Sequence, residues 1–300
     1  MGAPAASTDP GAPLAEPLPE PRRFAGLRRL FADPLGLAGL TLVALFLTSA
    51  LLAPWIAPYD PSAIDVRARL GGPSLAHLPG TDQLGRDTFS RVLHGGRVAL
   101  QVAAWSISAS LALGILLGML AGYGPLWLDN ALLLLFDTVR SFPTIMFALA
   151  AVTLTGPSLE MVILIIVVTS VPVYGRIVRT QTLSLKATEF ILAERSLGAG
   201  PVRILGVHVL PNVIGPLLIL ASMDVPVVVT IEAGLSFLGL GVRPPAPSWG
   251  KILADGYAFI RNSPWLVIAG GVLLILTTLG FTFLGEALRD IFDPRLRRSI

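Results

Sequence analysis

Of the ionisable side chains within otherwise apolar stretches, four stand well away from the ends, and chemistry at membrane depth would have to begin with them: Asp137, Arg140, Asp224 and Glu232. A charge at the centre of a bilayer costs about 2.5–3.5 kcal/mol, so such a residue pairs, faces water or binds something. Asp137 and Arg140 are three residues apart, hence on one helical face, where pairing offsets part of that cost. Asp224 stands alone, directly before Val225-Pro226. Two readings of it are open: it faces a cavity and favours a cationic or amino-terminal group, or it caps backbone groups freed by Pro226.

The groups that catalysis would need are missing. There is no cysteine, which excludes a thiolate zinc site, a disulfide framework and a cysteine nucleophile. His77, His94 and His208 are scattered and none lies in an apolar stretch, so no metal site is expected. The one Gly-Lys pair, Gly250-Lys251, has Pro245 and Ile252 where an ATP-binding loop needs its first glycine and its hydroxyl. The chain therefore reads as a non-enzyme without a cofactor, and any active process would draw on a gradient or on a partner.

The elements that must position these residues are set by hydropathy. The 300 residues are 53% apolar and only 14% charged, against the roughly 25% charge of soluble domains. The mean hydropathy is +0.74. Six apolar stretches, at about 35–55, 98–123, 126–154, 159–177, 213–240 and 265–284, are each near or above the ~20 residues of a spanning helix. The expected class is all-α and polytopic, with about six transmembrane helices and membrane lipid as solvent. The third stretch contains Pro143, which predicts a kink. Gly114, Gly118 and Gly122 form two overlapping G-x-x-x-G steps that let helices approach closely, either within the chain or against another subunit.

Residues 1–30 read as a disordered cytoplasmic tail, 31–57 as the first span, 58–96 as an external segment, 97–290 as a five-span core with a loop at 178–211, and 291–300 as a second cytoplasmic tail. Thirteen of the 22 Lys and Arg residues fall on the side of the termini and eight on the other, which places both termini in the cytoplasm. These basic residues flank apolar runs instead of forming one stripe, so nucleic acid is not a partner despite a pI near 9.7. Within the loop, 185–197 lacks Gly and Pro and reads as one helix; Gly198 to Pro201 break it, and a second short helix is expected over 202–210.

The loop sequence Phe190-Ile191-Leu192-Ala193-Glu194-Arg195-Ser196-Leu197-Gly198, continuing to His208-Val209-Leu210-Pro211, resembles the cytoplasmic coupling loop of permease subunits of binding-protein-dependent ABC importers. Leu192 and Glu194 depart from that family's Glu-Ala-Ala start, and Glu189 and Glu194 offer an acid from nearby turns. Three further stretches are similar to the dipeptide, oligopeptide and nickel branch of the same family, in its C-type permease. They are Gly80-Thr81-Asp82-Gln83-Leu84-Gly85-Arg86-Asp87, the run from Glu232 through Ser236 to Gly241 followed by Pro247-Ser248-Trp249-Gly250, and Leu288-Arg289-Asp290 with Asp293-Pro294-Arg295.

The resemblance implies a type I ABC importer permease fold in a bacterial plasma membrane. It implies four kinds of association: a second related permease, two cytoplasmic ATPase subunits, an external solute-binding protein and lipid. It assigns ATPase coupling to Leu192, Ala193, Glu194, Arg195, Gly198, His208, Leu210 and Pro211. The external motif is Gly80, Thr81, Asp82, Gly85, Arg86 and Asp87, and the pathway candidates are Asp137, Arg140, Asp224 and Glu232. The expected cargo is a di- or oligopeptide. Nickel or another small solute is the alternative within the class, and an ion-gradient-driven secondary transporter is the alternative outside it.

Overall fold

A computed structural model describes residues 30–292, and every regular element among them is helical. The expected tails lie outside the described residues except for their inner edges, and so do Arg22, Arg23 and Asp293-Pro294-Arg295. The helices are α1 (Pro34–Ile56), α2 (Thr88–Tyr123), α3 (Leu126–Ser141), α4 (Thr144–Thr155), α5 (Leu159–Lys186), α6 (Glu189–Ser196), α7 (Pro201–Phe237), α8 (Trp249–Ala258) and α9 (Trp265–Phe292). A single 3-10 turn, Val66–Ala68, interrupts the segment between α1 and α2. Helix is the solution because lipid offers no partner for a backbone N–H or C=O. Polar side chains start the helices where they meet polar surroundings: Asp87 accepts from Ser90 N at 2.8 Å, and Ser158 accepts from Met161 N at 3.1 Å.

Five helices, α1, α2, α5, α7 and α9, are long and apolar enough to span. The sixth expected span differs from a kinked rod. Phe142 and Pro143 are both extended (ψ 131° and 133°), and α3 and α4 meet at 87°. The pyrrolidine ring drives the residue before it out of the helical region, so two successive extended residues turn the chain where one proline would only bend it. The halves have 16 and 12 residues, about 24 Å and 18 Å, each short of the ~30 Å hydrocarbon layer.

Two boundaries also move. α2 begins ten residues before the apolar run, because Arg91, Leu93 and Gly95 are buried against the segment that precedes them and against α8. The helix expected over 202–210 is no separate element. Pro201 opens α7, a π-turn over Ile204–Val209 carries the chain past Pro211, and the helix runs on to Phe237. Proline lacks the N–H that a regular turn would use, and the widened turn absorbs the register shift.

The glycine stripe packs within the chain. A Cβ on Gly114 would lie 2.4 Å from Tyr174 Cβ, and one on Gly118 would lie 2.5 Å from the Gly175 carbonyl oxygen. α2 and α5 therefore touch backbone to backbone. Around this pair, one apolar core gathers Phe46, Val102, Ile165, Val229, Trp249 and Ile252. A second, toward the α6 end, gathers Tyr174, Ile191, Ile204, Val209, Val213 and Leu217.

Candidate functional site

The third-helix break opens a cavity of about 180 Å³ between α2, α3, α4, α5 and α7. Arg140, Thr144, Ser106, Ser110, Thr169, Ser170, Tyr174 and Asp224 supply its polar wall, and valine and isoleucine side chains supply the rest. Asp224 accepts a hydrogen bond from the Tyr174 hydroxyl at 2.6 Å. Ser106 and Ser110 are fully buried, and neither hydroxyl has a partner among the described residues. They continue the glycine stripe of α2 at the same four-residue spacing, a signal present in the sequence that composition alone hides.

The expected Asp137–Arg140 pair is not formed. Asp137 takes Arg176 of α5 instead, and Asp129 takes Arg179 in a bidentate contact at 2.5 and 2.6 Å. Arg140 faces the cavity, with no carboxylate within 4 Å among the described residues. The reason is topological: α5 runs alongside α3 and offers guanidinium groups one turn apart, whereas Arg140 sits at the last turn of α3, where the chain swings away. The side chains of Asp137 and Arg176 are 66% and 41% exposed.

Glu232 lies elsewhere. It is fully buried in α7, accepts from Ser236 Oγ at 2.7 Å and does not line the cavity. The run after it holds α8 in place, because Gly250 packs against the Ala233 carbonyl so closely that a Cβ would stand 1.9 Å away.

The external-motif residues build a turn and a charge cluster. Asp82 accepts from Leu84 N, Arg86 N and Arg86 Nε at 2.8, 3.0 and 2.7 Å, and Arg91 Nε lies 3.3 Å away. Gly80 and Gly85 take positive φ (88° and 73°) around it, and Thr81 bridges to Asp87. Asp87 also meets His77 Nδ1 at 2.9 Å. From α8, Asp255 stands 3.9–4.0 Å from the guanidiniums of Arg91 and Arg86 and receives Lys251 Nζ at 3.1 Å. Asp255 was missed in the sequence because its arginine partners are more than 160 residues away.

At the opposite end, α5 extends to Lys186 and α6 follows after one turn, so the helix expected over 185–197 is divided. α6 closes with a Schellman motif: Ala199 N–H donates to Glu194 O and Gly198 N–H to Arg195 O, both at 3.0 Å, with Gly198 at φ 88°. Ile191 on its inner face is fully buried with Ile204 and Val209, while Leu192, Ala193, Arg195 and Leu197 face outward. Glu194 turns inward to His208 Nε2 at 3.6 Å. Leu210 is half-buried, Pro211 is exposed, and Asn212 Nδ2 donates to the His208 carbonyl at 2.6 Å.

A helical bundle with an ion-lined open face and a polar loop braced onto its core is one component of a larger membrane pathway. The chain belongs to the family of binding-protein-dependent transport system inner membrane components, whose model matches residues 114–298. Residues 25–76 also match the N-terminal TM domain of oligopeptide transport permease C. The chain is 37% identical to the dipeptide transport system permease protein DppC of Alkalihalophilus pseudofirmus over 90% of its length and 89% of the relative's. It is equally identical to the di/tripeptide transport system permease protein DppC of Pseudomonas aeruginosa, over 88% and 89%. Its fold is similar to a chain of the MetNI methionine ABC transporter in an inward facing conformation, with TM-score 0.56 and 21% identity over 68% of this chain and 97% of that one. The chain is thus a multi-pass permease subunit of an ABC importer and not the ATPase.

Proposed function

We propose that this chain is one of two related permeases in an ATP-driven importer of di- and oligopeptides. In this reading residues 178–211 transmit the work of two cytoplasmic ATPase subunits, an external binding protein delivers the peptide, and both termini lie in the cytoplasm. The peptide class is supported by the names of the relatives, and the orientation by the excess of basic residues on the side of the loop.

The observation that carries the mechanism is a continuous packed stripe from loop to cavity. Ile191 of α6 packs with Ile204, Val209, Val213, Leu217 and Ala221 of α7, and that stripe ends one turn from Asp224. The same cluster holds Tyr174, whose hydroxyl touches Asp224. A closely packed core moves as a body and does not deform smoothly. A displacement of α6 is therefore delivered to the cavity wall. On this account the outward-facing Leu192 and Leu197 meet the ATPase, and Glu194 holds the loop together through His208.

The test is reconstitution of the chain in liposomes with its co-purifying permease, ATPases and binding protein, comparing wild type with Gly198→Pro. Proline has φ near −65° and no N–H, so it removes both the left-handed turn and the bond to Arg195. The expected result is an assembled complex that loses binding-protein-stimulated ATPase activity and peptide uptake. Uptake by this chain alone, driven by an ion gradient without the ATPases, would falsify the importer reading.

A further inference from the structure

We propose that the cavity at the α3–α4 break grips both charged ends of a zwitterionic peptide, Asp224 taking the α-ammonium group and Arg140 with the N-terminus of α4 taking the carboxylate. This rests on the importer reading above.

The charges come first. Arg140 and Asp224 have opposite sign, line one cavity and are not paired with each other. The neighbouring acids Asp129 and Asp137 are each occupied by an arginine of α5, which leaves Arg140 without a carboxylate among the described residues. Asp224 uses one oxygen for the Tyr174 hydroxyl and keeps the other free. Tyr174 thereby orients the carboxylate without neutralising it, a positioning role.

The second feature is the broken helix. α4 is capped by Pro143, which supplies no side-chain hydrogen bond, so the first-turn N–H groups of Thr144, Ile145 and Met146 have no helical acceptor. Thr144 lies on the cavity wall. The positive end of a half-helix at the middle of a membrane is suited to an anionic group of a transported solute. An arginine beside it adds a two-pronged donor of the geometry a carboxylate accepts.

The third feature is the pair of buried hydroxyls. Ser106 and Ser110 are 0% exposed, and their oxygen atoms find no partner among the described residues. A buried hydroxyl without a partner is unusual in a finished structure. Both line this cavity, where a peptide amide or carbonyl would satisfy them. Beside Thr169 and Ser170, the remaining wall of Ile107, Val173, Val227, Val228 and Ile231 is apolar and would tolerate varied side chains. Fixed contacts thus fall to the peptide's constant parts. At about 180 Å³ the cavity is smaller than the roughly 300 Å³ at which complete small-molecule sites begin, so a facing subunit supplies the other wall.

The experiment uses the full reconstituted complex in proteoliposomes with radiolabelled dialanine as probe. Asp224→Asn and Arg140→Gln are each expected to lower initial dialanine uptake at sub-saturating peptide by about tenfold, the effect of one lost charge-assisted bond. Uptake is read against binding-protein-stimulated ATPase activity in the same vesicles, and uptake per ATP hydrolysed should fall. Asp224→Glu should recover part of the loss. Because the chain has no cysteine of its own, Thr144→Cys, at a half-buried position on the cavity wall, adds an independent reading: a water-soluble thiol reagent should modify it, and saturating dialanine should slow the modification. Wild-type uptake with undiminished uptake per ATP in both charge variants, or Thr144→Cys modification indifferent to dialanine, overturns the inference and leaves the importer reading intact. Absence of ATP-driven dialanine uptake by the wild-type complex overturns the importer reading itself.

Discussion

Two charged regions of this molecule are built on opposite rules. In the segment before α2, Asp82, Arg86, Arg91 and Asp255 are all nearly buried, and every carboxylate has a guanidinium within 4 Å. In the cavity at the α3–α4 break, Arg140 and Asp224 share a wall without meeting, and two buried serine hydroxyls have no partner. Buried charge is tolerated where it is paired and hydrogen-bonded. The first region is ion-paired throughout, although Arg91 Nη1 and Asp255 Oδ2 lack a hydrogen-bond partner among the described residues, and its charges tie the turn at 80–87 to α2 and α8. In the second the opposite charges do not pair with each other, and it is there that we place the peptide. Composition does not separate the two regions; partner geometry does.

Stability measurements on the purified complex can break or sharpen that contrast. The largest effect is expected for Asp82→Ala, which strands two buried guanidiniums and should destabilise the assembled chain by about 3–5 kcal/mol, read as a sharply lower melting temperature or failure to assemble. Unchanged melting would collapse the distinction. Gly198→Ala comes next. Nothing lies within 4 Å of the added methyl, so the penalty is backbone strain alone, about 1–2 kcal/mol, expressed as faster hydrogen exchange over 189–203 with the membrane core unaffected. Trp249→Phe removes the Nε1–Val92 O bond of 2.9 Å and should cost about 1 kcal/mol, measurable in the same melt. The smallest effect is predicted for Asp224→Asn and Arg140→Gln, within about 0.5 kcal/mol of wild type, since neither breaks an ion pair and asparagine still accepts from Tyr174. A loss as large as that of Asp82→Ala at either position would assign it to the fold and not to the solute.

Much of the architecture was legible in the residues. Apolar length located the spans, and the Leu192–Gly198 stretch marked the loop whose glycine takes a left-handed turn. The small-residue stripe announced a close helix contact. Other features were misread for identifiable reasons. The Asp137–Arg140 pairing failed because spacing along one helix says nothing of a competing guanidinium 39 residues away. Pro143 was read as a kink because a single proline usually bends a helix, and the extended conformation it imposes on Phe142 doubles the effect. The helix at 202–210 merged into α7 because a π-turn can pass a proline that a regular turn cannot. Ser106 and Ser110 were overlooked as ordinary polar residues in an apolar run, although they share the phase of Gly114 and Gly118.

What the sequence determined by itself is one-dimensional. Hydropathy fixes which segments enter lipid, because the transfer energy of each residue is nearly independent of its distant neighbours. Turn-forming residues fix where segments stop, because φ and ψ restrictions act over two or three positions. The tertiary structure alone decided which charges find partners. Asp129, Asp137 and Asp224 are all acids inside apolar helices, and their different fates were set by groups brought from 39 to 50 residues away on α5. Electrostatic energy depends on distance in space, and only the packed helices supply those distances.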